Sequence, residues 1–215
     1  MSETPTTEPN PDPPDYRNQF RSAFLVPTDQ ERFAAMLEGD RPVELEVGSG
    51  KGLFLRTAAA ADRATRFIGL EVASKYAAMS AMKLADAGLE NADCFCADAV
   101  LTLDRHVPAG RLAAVHVYFP DPWWKARHKK RRVLNETLIA AADRALRPGG
   151  KFHFWTDVLD YYESTLELVA SLVPWQGPHA IEEPPVQNDM DYRTHFERRT
   201  RLGGLPVYRT YWVKG

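Results

Sequence analysis

Asp121 stands between two prolines and beside two indoles, in Tyr118-Phe119-Pro120-Asp121-Pro122-Trp123-Trp124. A carboxylate preset in this way can accept ring N–H and amino hydrogens from a flat heterocycle while an aromatic face stacks on it. Upstream, Glu44-Leu45-Glu46-Val47-Gly48-Ser49-Gly50-Lys51-Gly52 sets an acid, Glu46, against the alternating glycines Gly48, Gly50 and Gly52. Glycine is needed where the backbone takes positive φ or must approach a ligand closely. Two further acids, Glu71 and Asp98, each follow a short apolar stretch that reads as a strand.

Two cofactor classes use a glycine turn of this kind. Dinucleotides favour G-x-G-x-x-G, which leads a pyrophosphate onto a helix N-terminus. Here the third glycine arrives one residue early, Leu53 takes the place of the last glycine, and Glu46 would turn negative charge toward the phosphates. A nicotinamide dinucleotide dehydrogenase is therefore the weakest reading. S-Adenosyl-L-methionine carries no phosphate, but an ammonium, a sulfonium and a ribose diol. Glu46 suits its cationic end. Glu71, nineteen residues after Gly52, can accept both ribose hydroxyls, and Asp98 can receive an adenine amino hydrogen. The bland alternative is a tight turn with acids that cap helices. Three acids at the ends of three successive strands weigh against chance.

The Asp121 loop runs into Lys125-Ala126-Arg127-His128-Lys129-Lys130-Arg131-Arg132, where six of eight residues are Lys or Arg. Most such runs are solvated surface. This one interrupts a chain of net charge -2 and abuts the reaction loop, so it offers local positive density to a phosphate backbone. Arg193, Arg198, Arg199, Arg201, Arg209 and Lys214 can extend that surface. Charge alone does not separate RNA from DNA; RNA is favoured.

The elements that position these residues alternate. Strands are expected over 43–47, 66–70, 92–97, 112–119 and 151–155, and helices over 30–37, 53–61, 74–87, 134–146 and 161–172. Thr28 or Asp29 caps the first helix, Gly39 ends it, and Gly88 stops the third. Arg147–Gly150 is expected as a turn. A last strand covers 207–213, fed by a turn over 202–206 from around His195–Arg199. Such alternation predicts a parallel, doubly wound sheet with a β-rich end. Its ligand then lies beyond the carboxyl ends of the strands.

The chain of 215 residues, 44% hydrophobic and 26% charged, suits one domain and excludes collagen-like or coiled-coil architectures. Residues 1–15 hold five prolines and no large apolar side chain, and are expected to form a mobile acidic tail before a single domain over 16–215. The only cysteines, Cys94 and Cys96, are expected to point to opposite faces of a strand and stay reduced, with no third thiol for a metal site. No apolar run nears the ~20 residues of a membrane helix. A cytoplasmic protein without metal is expected, either monomer or homodimer.

PDPWWKARHKKRR, with LEVGSGKG, GLEV, LRPGGK, Thr156-Asp157 and Thr194-His195-Phe196-Glu197-Arg198-Arg199, resembles the bacterial tRNA (guanine-N7)-methyltransferase family, in order from about residue 43 to 213. The resemblance implies a class I methyltransferase fold: Rossmann-like α/β, a mostly parallel doubly wound sheet with an antiparallel C-terminal strand. It implies methyl transfer from S-adenosyl-L-methionine to N7 of a guanine in the tRNA variable loop, position 46. By motif, Glu46, Glu71, Asp98 and Asp121 match cofactor-contacting acids, with Asp121 also catalytic. Lys125, Asp157, Thr194, His195, Phe196 and Glu197 match substrate-binding positions. Arg127, His128, Lys129, Lys130, Arg131 and Arg132 match the RNA-contacting run. His195 stands where many members carry Lys. Two other readings remain at this point: a non-catalytic RNA-binding module on the same fold, and an exocyclic-amine methyltransferase, whose Asx-Pro-Pro-aromatic loop is chemically close to Asp121-Pro122-Trp123.

Overall fold

The computed structural model of the chain describes residues 27, 29–182, 185–188 and 191–215. The expected tail, the entry to the domain near Tyr16–Phe24, the alternative cap Thr28 and the side chain of Lys129 lie outside the described residues.

Seven strands, β1 (Val43–Val47), β2 (Arg66–Glu71), β3 (Ala92–Cys96), β4 (Leu112–Tyr118), β5 (Leu146–Thr156), β6 (Gln176–Ala180) and β7 (Tyr208–Val213), form one sheet in the order β3-β2-β1-β4-β5-β7-β6. The first five run parallel, and β7 lies antiparallel between β5 and β6. The α-helices among the described residues are α1 (Gln30–Leu37), α2 (Leu53–Ala61), α3 (Ser74–Asp86), α4 (Ala99–His106), α5 (Glu136–Ala145), α6 (Leu159–Leu172) and α7 (His195–Leu202).

Side chains alternate across each strand, and the two faces have different jobs. Val43, Leu45 and Val47 join Ile68, Leu70, Val115, Val117, Phe152 and Phe154 in the larger core, closed by Leu103, Leu138, Ile139 and Tyr161 from α4, α5 and α6. Burying each large side chain there contributes about 1.5–3 kcal/mol. The other face carries a smaller cluster, Phe54, Leu55, Phe67, Leu84, Tyr118 and Trp155, under α2 and α3. Glu44 and Glu46, one residue out of phase with the apolar set of β1, belong to that second face.

Cys94 and Cys96 differ from expectation. Residues two apart in a strand share a face, and both thiols pack in the smaller cluster. Both are nonetheless free and buried. Burial pushes the Cys94 thiol up to about 12, which makes it inert.

Among the α-helices and strands, three were not expected. α4 begins at the cap Asp98, whose carboxylate accepts from Leu101 N at 3.0 Å. α7 occupies the stretch that leads into the anticipated turn, which follows it at Gly203–Gly204, and β6, exposed throughout, forms by pairing with β7 rather than by burial. The expected Arg147–Gly150 turn falls inside β5, which starts at Leu146 across a register shift against β4.

Helix ends are closed largely by long cations. Arg66 Nη1 donates to Ala35 O (3.0 Å), Met36 O (3.2 Å) and Glu38 O at the end of α1. Arg144 Nη2 donates to Asp104 O (3.0 Å), Val107 O (2.8 Å) and Leu103 O at the end of α4. These bonds satisfy carbonyls that the helix leaves open. Arg144→Met keeps the stem but strands three acceptors. A loss of roughly 1–3 kcal/mol is expected, read as a fall in Tm of about 2–4 °C per kcal/mol; an unchanged Tm refutes the capping role.

Candidate active site

The strand order lines the acids along one edge of the sheet. Asp98 follows β3, Glu71 ends β2, Glu46 sits one residue before the end of β1, and Asp121 follows β4, while Asp157 follows β5. The chain leaves β1 for β2 and β3 on one side and returns to β4 and β5 on the other, so Glu46 and Asp121 flank the topological switch point. Open α/β sheets bind ligands there.

Glu46 is 2% exposed, and its Oε2 has no hydrogen-bond partner. Burial pushes its carboxyl up to about 8, with Glu71 adding to the rise and Ser49 and Arg193 opposing it. Glu71 organises the turn next door. Its Oε2 accepts from Gly50 N and its Oε1 from Ala73 N, each at 2.8 Å. Gly48, Gly50 and Gly52 take φ of 76°, 52° and 70°. At Gly52 a second constraint applies, because a Cβ would lie 1.9 Å from Ser80 Oγ of α3. That contact lets α2 start hard against α3. Further down the same face, burial holds His116 below its usual pKa. The neutral ring donates from Nε2 to Glu44 and accepts at Nδ1 from the Tyr118 hydroxyl, both at 2.8 Å.

Asp98 spends one oxygen as the α4 cap, so for this acid the bland reading holds at least in part. Asp121 is exposed between Phe119 (φ 48°) and Trp123 (φ 47°), two non-glycine residues in the left-handed region. Such conformations are uncommon and persist only where their surroundings impose them. Here Arg132 does so. Its Nε donates to Pro122 O at 2.8 Å, Nη1 to Ser164 Oγ at 3.1 Å and Nη2 to Asp160 at 2.8 Å, and its guanidinium lies 4.2 Å from the Tyr161 ring centroid. Arg132 is 6% exposed. It pins the loop to α6, in contrast to the RNA-contacting position its place in the run implied. Lys125, Arg127 and Lys130 are exposed; His128 and Arg131 are partly covered, packed against Trp123 at 5.9 and 5.1 Å.

α7 completes the edge. Thr194 caps it, accepting from Glu197 N at 3.0 Å. Glu197 is fully buried, accepts from Arg193 N (2.6 Å), and pairs with Arg209 (3.0 Å) and Arg201 (3.4 Å). It is an internal tie between α7 and β7, so its predicted contact with substrate gives way to a positioning role. Asp157 accepts from Thr200 at 3.4 Å, which sets α7 beside the end of β5. Phe196 is 51% exposed and stacks on Phe119 at 6.5 Å, bringing α7 to the Asp121 loop. Burial, and then the charges of Lys83, Lys51, Arg56 and Arg198, hold His195 below its usual pKa, so it is neutral at pH 7. Thr194-x-x-Glu197 is a capping-box spacing, the one signal from which the unexpected α7 could have been read.

The donor set fits S-adenosyl-L-methionine. A buried carboxylate oxygen with no partner calls for a cationic group, and the glycine turn brings bare backbone beside it. Among the described residues no cluster of His, Cys, Asp and Glu is able to hold a metal ion, and no helix is long and apolar enough to cross a membrane. The state of Glu46 gives a test. Its folded pKa of about 8 exceeds the unfolded 4.5, so its contribution to stability is full below pH 4.5 and lost as pH rises toward 8. Glu46→Gln is expected to match the ligand-free wild type in Tm near pH 5 and exceed it at pH 8.5, by a few kcal/mol at most. Equal Tm differences at both pH values refute the buried-carboxyl account.

Comparison with known proteins agrees with this geometry. A family model described as "Putative methyltransferase" matches residues 40–210. A Rhodopirellula baltica protein named tRNA (guanine-N(7)-)-methyltransferase is 48% identical over 181 residues, 81% of this chain and 67% of that protein. A protein of the same name from Alcanivorax borkumensis is 38% identical over 178 residues, 81% of this chain and 73% of its own length. Among solved structures, the 16S rRNA methyltransferase KamB superposes with a TM-score of 0.60 at 18% identity, over 87% of this chain and 94% of that one. The precorrin-6y C5,15-methyltransferase of Geobacter metallireducens gives 0.58 at 20%, over 90% and 93%. These two share the fold. The chain belongs to the tRNA (guanine-N(7)-)-methyltransferase family.

Proposed function

We propose that this protein transfers a methyl group from S-adenosyl-L-methionine to N7 of a guanine in the variable loop of tRNA, position 46. The observation that carries the reading is the pairing across the switch point of a buried Glu46, whose Oε2 has no partner, with a preset Asp121, beside the exposed cations Lys125, Arg127 and Lys130.

S-Adenosyl-L-methionine supplies the methyl group and a sulfonium that makes it electrophilic. Glu46 would hold the cationic part of that molecule, Glu71 and the Gly48–Gly52 turn its ribose, and Asp98 its adenine. Guanine N7 bears an in-plane lone pair and no proton, so the chain has no base to provide. Its task is alignment, worth up to ~7–11 kcal/mol in favourable cases. Asp121 accepts the guanine N1–H and amino hydrogens, anchors the base edge-on, and stabilises the positive charge the purine gains. Asp157, Thr194 and Phe196 bound the base pocket, with His195 a neutral donor beside it and Lys125 at its mouth. Lys125, Arg127 and Lys130 hold phosphates, joined by Lys129 from its place in the run; His128 and Arg131 serve by stiffening Trp123. The protein is a cytoplasmic enzyme in this reading.

Incubation of unmodified tRNA with S-adenosyl-L-methionine, followed by mapping of the product base, tests the proposal: 7-methylguanine in the variable loop is expected, and a methylated exocyclic amine or no product overturns it. Asp121→Ala is expected to lower turnover by about 10²–10³-fold while cofactor binding survives in part; near-normal turnover removes Asp121 from the mechanism. Neutralising Lys125, Arg127 and Lys130 together should weaken tRNA binding and reduce the salt slope by roughly one unit per lost contact. An unchanged slope assigns the phosphates elsewhere.

A further inference from the structure

Trp124 is 71% exposed, a large indole held in water two residues past the loop acid's flanking proline. Its neighbour Trp123 is used up locally, with Arg131 5.1 Å over its ring and His128 edge-on at 5.9 Å. No ring or cation stacks on Trp124 among the described residues. The backbone that presents it is fixed on both sides. Trp123 takes φ 47°, the Pro122 carbonyl is held by buried Arg132 at 2.8 Å, and a 3-10 turn follows over Ala126–Arg131. A rigid, strained loop that projects a flat apolar plate is suited to enter a space of the same shape.

Resting on the reading above, we infer that Trp124 is a wedge: it enters the tRNA base stack at the space vacated by the target guanine and keeps that base on the Asp121 side. Drawing a purine out of its stack leaves a flat slot between two neighbouring bases and forfeits their stacking energy. An indole in the slot restores much of that contact, as inserted apolar side chains do in bent duplexes. Asp121, three residues upstream, then receives the displaced base, and Lys125, next in sequence, meets the phosphate beside the gap. The division of labour explains why two adjacent indoles differ so much in exposure.

The test uses the full chain and a tRNA carrying 2-aminopurine in place of the target guanine, whose fluorescence rises on unstacking. Wild type is expected to raise that fluorescence. Trp124→Ala should lose the rise and slow single-turnover methylation of ordinary tRNA about tenfold or more, the size of one lost aromatic–base stack. Tm and S-adenosyl-L-methionine affinity should stay at wild-type values, and Trp124→Phe should recover most of both signals. Retention of the fluorescence rise and the rate in Trp124→Ala overturns the wedge, as does a Phe variant no better than Ala, or a joint loss of Tm and cofactor affinity. Failure of the underlying reading looks different, because wild type itself then leaves the tRNA guanine unmethylated.

Discussion

The phase of a single five-residue strand decides where this molecule keeps its charge. In Val-Glu-Leu-Glu-Val of β1, the apolar residues fill the larger core, and pairing with β2 and β4 leaves no room to slip without sending every one of them to the wrong side. Glu46 is therefore carried onto the face under α2 and buried, whatever that costs. Isolated buried carboxylates are expensive, and the protein meets the cost by keeping the proton on. Under the proposed cofactor role, an acid that is mostly protonated near pH 7 and is driven to ionise by an arriving cation favours positive ligands over phosphates.

Two other buried charges, Arg132 and Glu197, come from segments whose surface neighbours are polar, and each points inward. Arg132 ties the Asp121 loop to α6, and Glu197 ties α7 to β7. Both pairs are hydrogen-bonded several times, which is what makes burial of a charge tolerable. Their shared effect is geometric. They fix the two walls between which Asp121 and Phe196 stand, so the edge of the sheet carries a rigid frame rather than loose loops.

Much of this was legible in the sequence, because the parallel sheet and its acids rest on periodicity and position. Strand and helix boundaries agreed within a few residues where apolar spacing was strong, as over 43–47 and 53–61. β6 was invisible because every residue of Gln176–Ala180 is exposed and the strand is held by its pairing with β7, including the Thr210 hydroxyl on His179 O. α4 went unread because Asp98 was taken as a ligand and not as the helix cap it also is. Arg132 and Glu197 escaped for a different reason. Residue type gives no direction, and within a run of cations only the tertiary partners Pro122, Ser164 and Asp160 show which one turns inward.

Asp121 sits where two opposed electrostatic demands meet. A sulfonium donor asks for carboxylates, and a tRNA backbone asks for cations; mixed at random, each set would neutralise the other. The fold separates them by strand position. The acids on or just after β1, β2 and β3 lie on one side of the switch point, and the dense cation run Lys125–Arg132 follows β4 on the other. His195, approached by Lys51, Lys83, Arg56 and Arg198, is kept neutral and adds no charge of its own to the acid side at pH 7. The reacting purine, neutral on arrival and cationic on departure, is then the one group that crosses from the basic region to the acidic one. On the proposed role of Asp121, product charge develops beside that carboxylate, while repulsion from the basic run favours release of the methylated base.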